Sequence, residues 1–205
     1  MAAILVDKKA KKEQIVKAAI RAFLKKGFAR TTISDIAKQA GTGKGTIYEY
    51  FNSKDEIIHF SFNYFIDKLG LDFEEVISSE QTGEEKIKQI FHRYKEIIQK
   101  SSQGFIELMF DFWAEAIKTD QPKNIILKEM NQFYLYYRNF LAGILEEGIK
   151  DGSIRKDIQP KIMASLIIGM MDGILVQWIL DKKNIDINNA MDSIDSMVMN
   201  GIGKE

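Results

Sequence analysis

Apolar residues return every three or four positions along nearly the whole chain and almost nowhere every second one. That spacing gathers them on one face of an α-helix, whereas a half-buried strand needs alternation. The chain therefore reads as all-α, with about nine helices and no internal repeat. The first covers residues 9–26, with Ile15, Ala18, Ala19, Ala22 and Phe23 on one side and Gly27 as its stop. Ser53, with Glu56 as its capping-box partner, starts a helix running to Leu69 that carries His59, Phe60, Phe62, Phe65 and Ile66. After a polar break at 78–83, the helix at 84–100 turns Ile87, Ile90, Phe91, Tyr94, Ile97 and Ile98 inward. Residues 101–104 interrupt the pattern before a very apolar helix at 105–118. Pro122 suits the first turn of a long helix to Ile149, whose apolar face includes Phe133, Tyr134, Tyr136, Tyr137, Phe140 and Leu141. Helices at 160–180 and 187–199 complete the pattern.

Residues 31–51, TTISDIAKQAGTGKGTIYEYF, break the run of long helices with two short ones. Thr32 is placed to cap the first, with Asp35 three residues on, and Ile33, Ile36, Ala37 and Ala40 give it an inward side. Gly41 permits a sharp turn, since a residue without Cβ adopts a left-handed conformation at little cost. The second short helix, 44–51, buries Ile47 and Phe51 as an i, i+4 pair and shows Lys44, Thr46, Tyr48 and Tyr50 on the other side. This is the pattern of a helix-turn-helix, whose second helix enters the major groove of DNA.

Charge adds to that picture. The chain is neutral, yet its first 60 residues hold 12 Lys or Arg against 6 Asp or Glu, and the other 145 hold 17 against 23. Positive charge, which phosphates attract, thus accompanies the helix-turn-helix. Absence of cysteine removes disulfides, thiolate metal sites and thiolate nucleophiles. His59 and His92 are the only histidines and neither has metal-ligand spacing. No strand precedes the short Gly41-x-Gly43-x-Gly45 run, so it is no phosphate loop, and Asp111 and Glu115, an i, i+4 pair with no histidine or second acidic pair in sequence to work with, read as solvated acids. An enzyme, a metal site and a cofactor are accordingly not expected. No segment reads as a secretory signal or as a membrane span free of charge and turn residues, which makes the cytoplasm the expected location.

Residues 15–58 resemble the DNA-binding domain of the TetR family of bacterial transcriptional regulators. The likeness is carried by Ile15, Ala18, Ala19, Phe23, Gly27, Phe28, Thr31, Thr32, Ile36, Ala37, Ala40, Gly41, Lys44, Gly45, Thr46, Ile47, Tyr48, Tyr50, Phe51, Lys54 and Asp55. Further on, residues 112–116, 148–155 and 169–178 are similar to family signposts. The resemblance implies a three-helix DNA-binding domain at 1–53 and a larger helical effector-binding and dimerisation domain at 54–205. It also implies a dimeric, ligand-released repressor on a palindromic operator. Arg30, Thr31, Thr32, Thr42, Lys44, Gly45, Thr46, Tyr48, Tyr50 and Lys54 are the candidate DNA contacts, and Gly43 departs from the capping residue common in the family. A helical protein-interaction module without DNA binding is the alternative, with an enzyme behind it.

Phe91, Tyr94, Phe105, Met109, Phe112, Trp113, Phe133, Tyr137 and Trp178 are candidates to line a pocket for a hydrophobic or amphipathic effector, with Glu107, Asp111, Glu115 or Asp172 to orient it. A fatty acyl thioester, an aromatic compound and a lipophilic cation stay open, and the second half carries a hint of the fatty-acid-metabolism branch. Met163, Leu166, Ile167, Met170, Met171 and Ile174, with Met191, Ile194 and Val198, are candidates for the homodimer interface. The helix at 54–69 is the one continuous element the sequence places between the DNA-binding motif and the larger domain.

Overall fold

The computed structural model describes residues 2–69, 80–101, 103–118 and 125–203, without the side chains of 2–7, 68–69, 103–105 and 118. Nine helices occur among the described residues: α1 (Ala2–Lys26), α2 (Ile33–Ala40), α3 (Lys44–Tyr50), α4 (Lys54–Leu69), α5 (Gly83–Lys100), α6 (Gln103–Lys118), α7 (Ile125–Asp151), α8 (Pro160–Leu180) and α9 (Ile187–Ile202). The expected helix start at Pro122 and the first part of the break at 78–83 lie outside the described residues. Two ends run further than the periodicity indicates. α1 begins at Ala2, since the Ala- and Leu-containing start favours helix. α9 continues to Ile202, which is fully buried and accepts a backbone hydrogen bond from Arg155 at 2.9 Å.

Packing divides the chain into two compact units. The first holds α1–α4, α6 and α7 as far as Gln132; the second holds α5, α7 from Phe133 onward, α8 and α9. Its place in the first unit corrects the reading of α4 as the one connecting helix: α4 belongs wholly there, and α7 contributes to both units.

The first unit is built on the inward faces that the sequence marks. Ile15, Ala18, Ala19 and Phe23 of α1 are buried with Ile36 and Ala37 of α2, Ile47 of α3, and Ile57, Phe62 and Phe65 of α4. Phe112 of α6 joins this core, its ring centroid 4.7 Å from Phe28, 5.0 Å from Phe62 and 5.7 Å from Phe65. Thr32 Oγ1 accepts from Asp35 N and Asp35 accepts from Thr32 N, so the capping box anticipated at α2 is formed. The Lys26 ammonium and the two Thr32 hydrogen bonds hold the Asp35 carboxyl well below the usual carboxylate range. Gly41 closes α2 in the left-handed conformation, φ 66°, which only glycine adopts without strain.

In the second unit, Ile87, Ile90 and Phe91 of α5, Leu141, Ile144 and Leu145 of α7, Ala164, Ile167 and Met171 of α8, and Met191, Val198 and Ile202 of α9 form one core. The N-terminus of α5 is pinned to the end of α7: Gly83 N donates to Asp151 Oδ2 at 2.8 Å and Glu84 N to Ser153 Oγ at 3.2 Å. Polar bonds tie α5 to α9, with Lys95 to Asp192 at 2.6 Å and Gln99 to Asn188 at 2.7 Å.

α8, at 21 residues, is long and apolar enough by composition to cross a membrane. A charge does interrupt it, Asp172 at mid-helix. Its buried residues are Ala164, Ile167, Met171 and Leu175, and the first three belong to the core of the second unit.

Candidate nucleic-acid interface and effector cavity

α3 is short and has no side-chain cap, because Gly43 offers none, and it is held in place from beneath by the fully buried Ile47 and by Phe51. With that face fixed, the opposite one projects Lys44, Gly45 and Tyr48, the last 50% exposed. The Lys44 ammonium lies 5.9 Å from the Tyr48 ring centroid. Thr42, Thr46 and Tyr50 are half-buried beside them. A Cβ added at Gly45 would meet no atom of the described residues within 4 Å, so packing among them does not demand glycine there.

Four other candidate contacts are engaged by the protein itself. Thr31 is 1% exposed and its hydroxyl donates to Gly27 O at 2.8 Å and Ala22 O at 3.2 Å, which makes it a staple at the end of α1 and corrects its reading as a candidate DNA contact. Thr32 serves the capping box. Lys54 reaches back to Ala29 O at 3.2 Å, and burial lowers its pKa from the ordinary lysine value. Arg30 is exposed, with Nε donating to Lys26 O at 3.0 Å.

The pocket candidates separate. Tyr94, Phe133 and Tyr137 line a cavity of about 60 Å³ in the second unit, together with Ile90, Tyr134, Leu141, Ile168, Met171 and Asp172. Phe91 is buried in the adjoining core. Met109, Phe112 and Trp113 stand on α6 in the first unit, where Phe112 is core and Trp113 packs edge-on to Phe110 at 5.0 Å. Phe105 lies outside the described side chains. Trp178 is half-buried, with the Lys182 ammonium 4.9 Å from its ring centroid. Of the four candidate acids, Asp172 is the one in the cavity wall. Sequence reading placed Tyr134 on the apolar face of its helix without a role, but its hydroxyl donates to Asp172 Oδ2 at 2.8 Å. No spacing rule links residues 134 and 172; only the folded packing of α7 on α8 does.

Burial pushes the Asp172 carboxyl up to about 6, with the Tyr134 hydrogen bond pulling in the opposite direction. A carboxyl that is harder to ionise when folded than when unfolded weakens the fold once pH rises above its unfolded value, and the full cost is reached above pH 6. Asp172→Asn, which still accepts the Tyr134 hydrogen bond, is therefore expected to raise unfolding stability at pH 8 by about 2 kcal/mol and to change it little at pH 4. Equilibrium denaturation at the two pH values checks this, and an equal effect at both would refute the assignment.

The interface candidates also separate. Ile167, Met171, Met191 and Val198 are closed inside their own chain, so they are core residues and not available to a partner. Met163, Met170, Ile174 and Ile194 are half-buried, and Leu166 is 54% exposed. Met197, the alternative to Val198 on the last helix, is exposed, and so are Ile162 and Leu180, which the sequence did not single out. One helix can bury one stripe in its own core and leave another outside, and periodicity alone does not say which is which.

An exposed recognition helix on a buried α1–α2 platform, followed by an all-helical unit with its own apolar cavity, defines a one-component transcriptional regulator. Residues 15–59 match the model of bacterial regulatory proteins of the tetR family, and residues 83–202 match that of the BetI-type transcriptional repressor C-terminal region. The chain belongs to the TetR family of DNA-binding transcriptional regulators and is not an enzyme. It is 28% identical over 199 residues to the fatty acid metabolism regulator protein of Bacillus subtilis, covering 96% of this chain and 97% of that one. The repressor KstR2 of Rhodococcus jostii is 24% identical over 199 residues, with 95% and 92% covered. Among solved structures, FadR from Bacillus subtilis in complex with stearoyl-CoA superposes with a TM-score of 0.72 at 25% identity, covering 93% of this chain and 98% of that one. A TetR regulator from Chloroflexus aurantiacus reaches 0.79 at 20% identity, with 97% and 99% covered, and attests the fold alone.

Proposed function

We propose that this regulator is a cytoplasmic repressor that binds a palindromic operator as a homodimer and is released by a hydrophobic or amphipathic small molecule, with a long-chain fatty acyl thioester as the first candidate. The observation that carries the reading is the polarity of α3: Ile47 is locked beneath while Lys44, Gly45 and Tyr48 stand outward. Glycine inside a helix costs roughly 1 kcal/mol against alanine. At Gly45 no contact among the described residues accounts for it, which fits close approach of a DNA backbone. In this reading residues 1–53 carry DNA contact and 54–205 carry effector binding and pairing, the latter through the exposed Ile162 and Leu166 and the half-buried Met170 on α8, with the exposed Met197 on α9. The acyl thioester follows from the stearoyl-CoA complex of the Bacillus subtilis relative and from the apolar lining of the cavity.

α7 is the route by which the effector acts. Phe133, Tyr134 and Tyr137 line the cavity, and one turn before them Glu129, 5% exposed, receives His59 of α4 at 2.8 Å. A ligand that displaces Phe133 moves the turn holding Glu129, and through His59 it biases α4 toward the arrangement that does not fit the operator. His59→Ala is expected to keep operator binding and weaken effector-induced release several-fold, at about 2 kcal/mol of stability because Glu129 loses its partner. Release titrations on the variant decide this; unchanged release would remove α7 as the route. The reading as a whole is tested by mobility shift of fragments surrounding the gene, with stearoyl-CoA added to the shifted complex. No salt-sensitive, sequence-selective shift would sink the repressor reading, and a shift that no acyl thioester reverses would sink the effector.

A further inference from the structure

We propose that Asp172 makes the cavity a selector for acyl chains that carry a hydroxyl group, in preference to plain alkyl chains of the same length. The proposal rests on the reading of this cavity as the acyl thioester site. Asp172 Oδ2 accepts the Tyr134 hydroxyl at 2.8 Å, while Oδ1 accepts no hydrogen bond from the described residues. Ile90, Phe133, Leu141, Ile168 and Met171 make most of the remaining wall apolar, and among the described residues no lysine, arginine or histidine lines it as a counter-ion. With the cavity open to solvent, that second oxygen is the group a water would satisfy. A hydrocarbon chain drives that water out and leaves a carboxylate with a single hydrogen bond in apolar surroundings, which disfavours the complex. A hydroxyl on the chain replaces the water with a charge-assisted hydrogen bond. Sites built around a polar group of this kind reject the analogue lacking the matching hydroxyl far more strongly than apolar sites reject an extra one.

The groups facing Asp172 leave its charge otherwise unanswered. Tyr134 and Tyr137 come from α7 and Tyr94 from α5; the Tyr94 phenol is pushed well above its ordinary value by burial and by the Asp172 charge, so it stays neutral. On α9, Asp192 is paired with Lys95, and Asp195 is placed toward Lys88. Proton binding to Asp172 removes the penalty for a plain chain, and the preference for a hydroxyl therefore fades as pH falls below about 6.

The test uses the full chain bound to its operator, titrated with stearoyl-CoA and with 3-hydroxy-, 10-hydroxy- and 18-hydroxystearoyl-CoA at pH 8 and pH 5.5. At least one hydroxylated compound is expected to bind and release DNA about tenfold more tightly than stearoyl-CoA at pH 8. The advantage should shrink to near twofold at pH 5.5 and disappear in Asp172→Leu. Asp172→Asn, which retains the Tyr134 partner, guards against a folding defect and should lose the pH dependence. Equal affinity of all four compounds at pH 8, or an advantage that survives in both variants, overturns the proposal while leaving the acyl thioester reading intact. Failure of every thioester to bind overturns both.

Discussion

Gly83→Ala is expected to destabilise the second unit by about 3 kcal/mol or more, because the β-carbon it adds has no place to go. Built on the observed backbone, that carbon stands 2.3 Å from Gly148 Cα, 2.4 Å from Gly148 N and 2.8 Å from Ile144 O. All three are backbone atoms of α7, so relief requires moving one helix against the other. The hydrogen bonds of Gly83 N to Asp151 and Glu84 N to Ser153 oppose that movement. Gly148→Ala provides the internal comparison. Its β-carbon would meet Ile154 Cδ1 at 2.5 Å and Cγ1 at 2.7 Å, atoms of a side chain that can turn, and Gly83 Cα only at 3.2 Å. Its cost is expected to be the smaller of the two, about 1–2 kcal/mol. Denaturant unfolding of the three proteins measures the order. A Gly83→Ala protein as stable as the parent would mean that the α5–α7 crossing is looser than described.

The second large effect separates DNA contact from support. Tyr48→Ala is expected to weaken operator binding by about 10–100-fold while leaving the unfolding transition in place, since the ring is half outside the protein and the helix is anchored by Ile47. Lys44→Ala should weaken binding to all sequences alike and lower the salt slope by about one for each α3 engaged, as loss of one phosphate contact does. Thr31→Ala should do the reverse: its buried hydroxyl bridges two α1-end carbonyls, so stability falls by about 1 kcal/mol and the salt slope is unchanged. Mobility shifts across a salt series, run beside thermal melts, distinguish the three. If Thr31→Ala altered the salt slope, its side chain would have to face phosphate after all.

These contrasts mark where sequence reading reached and where it stopped. The helix-turn-helix was legible because its signals are local: a cap at Thr32 with Asp35, a turn glycine at position 41, and Ile47 and Phe51 one turn apart. The same locality misled at Thr31, which is adjacent to Thr32 yet points the other way because it follows Gly27 and closes α1. The long helices were legible as helices, but which of two apolar stripes on α8 meets its own core was not, and so Ile167 and Met171 were grouped with Leu166. The cavity was half legible. Aromatic residues announced themselves, but Phe112 and Tyr137 look alike in sequence and end in different units, and the Tyr134–Asp172 bond joins positions 38 residues apart. In sequence Gly83 closes a polar break and Gly148 opens a segment similar to a family signpost, whereas their role is to let two helices touch, which is a property of the pair.

The cavity proposed for the effector holds only about 60 Å³, against the several hundred typical of drug-sized ligands. On the proposed reading, a long chain arriving from solution does not find a site; it waits for one, until Phe133, Tyr137 and Met171 part far enough to admit it. The time course of derepression then belongs to the protein more than to the metabolite. As effector concentration rises, the rate of operator release should climb and then level off at the frequency with which these walls separate. Such a regulator passes over brief pulses of its signal and answers only to supply that outlasts the opening of its own core.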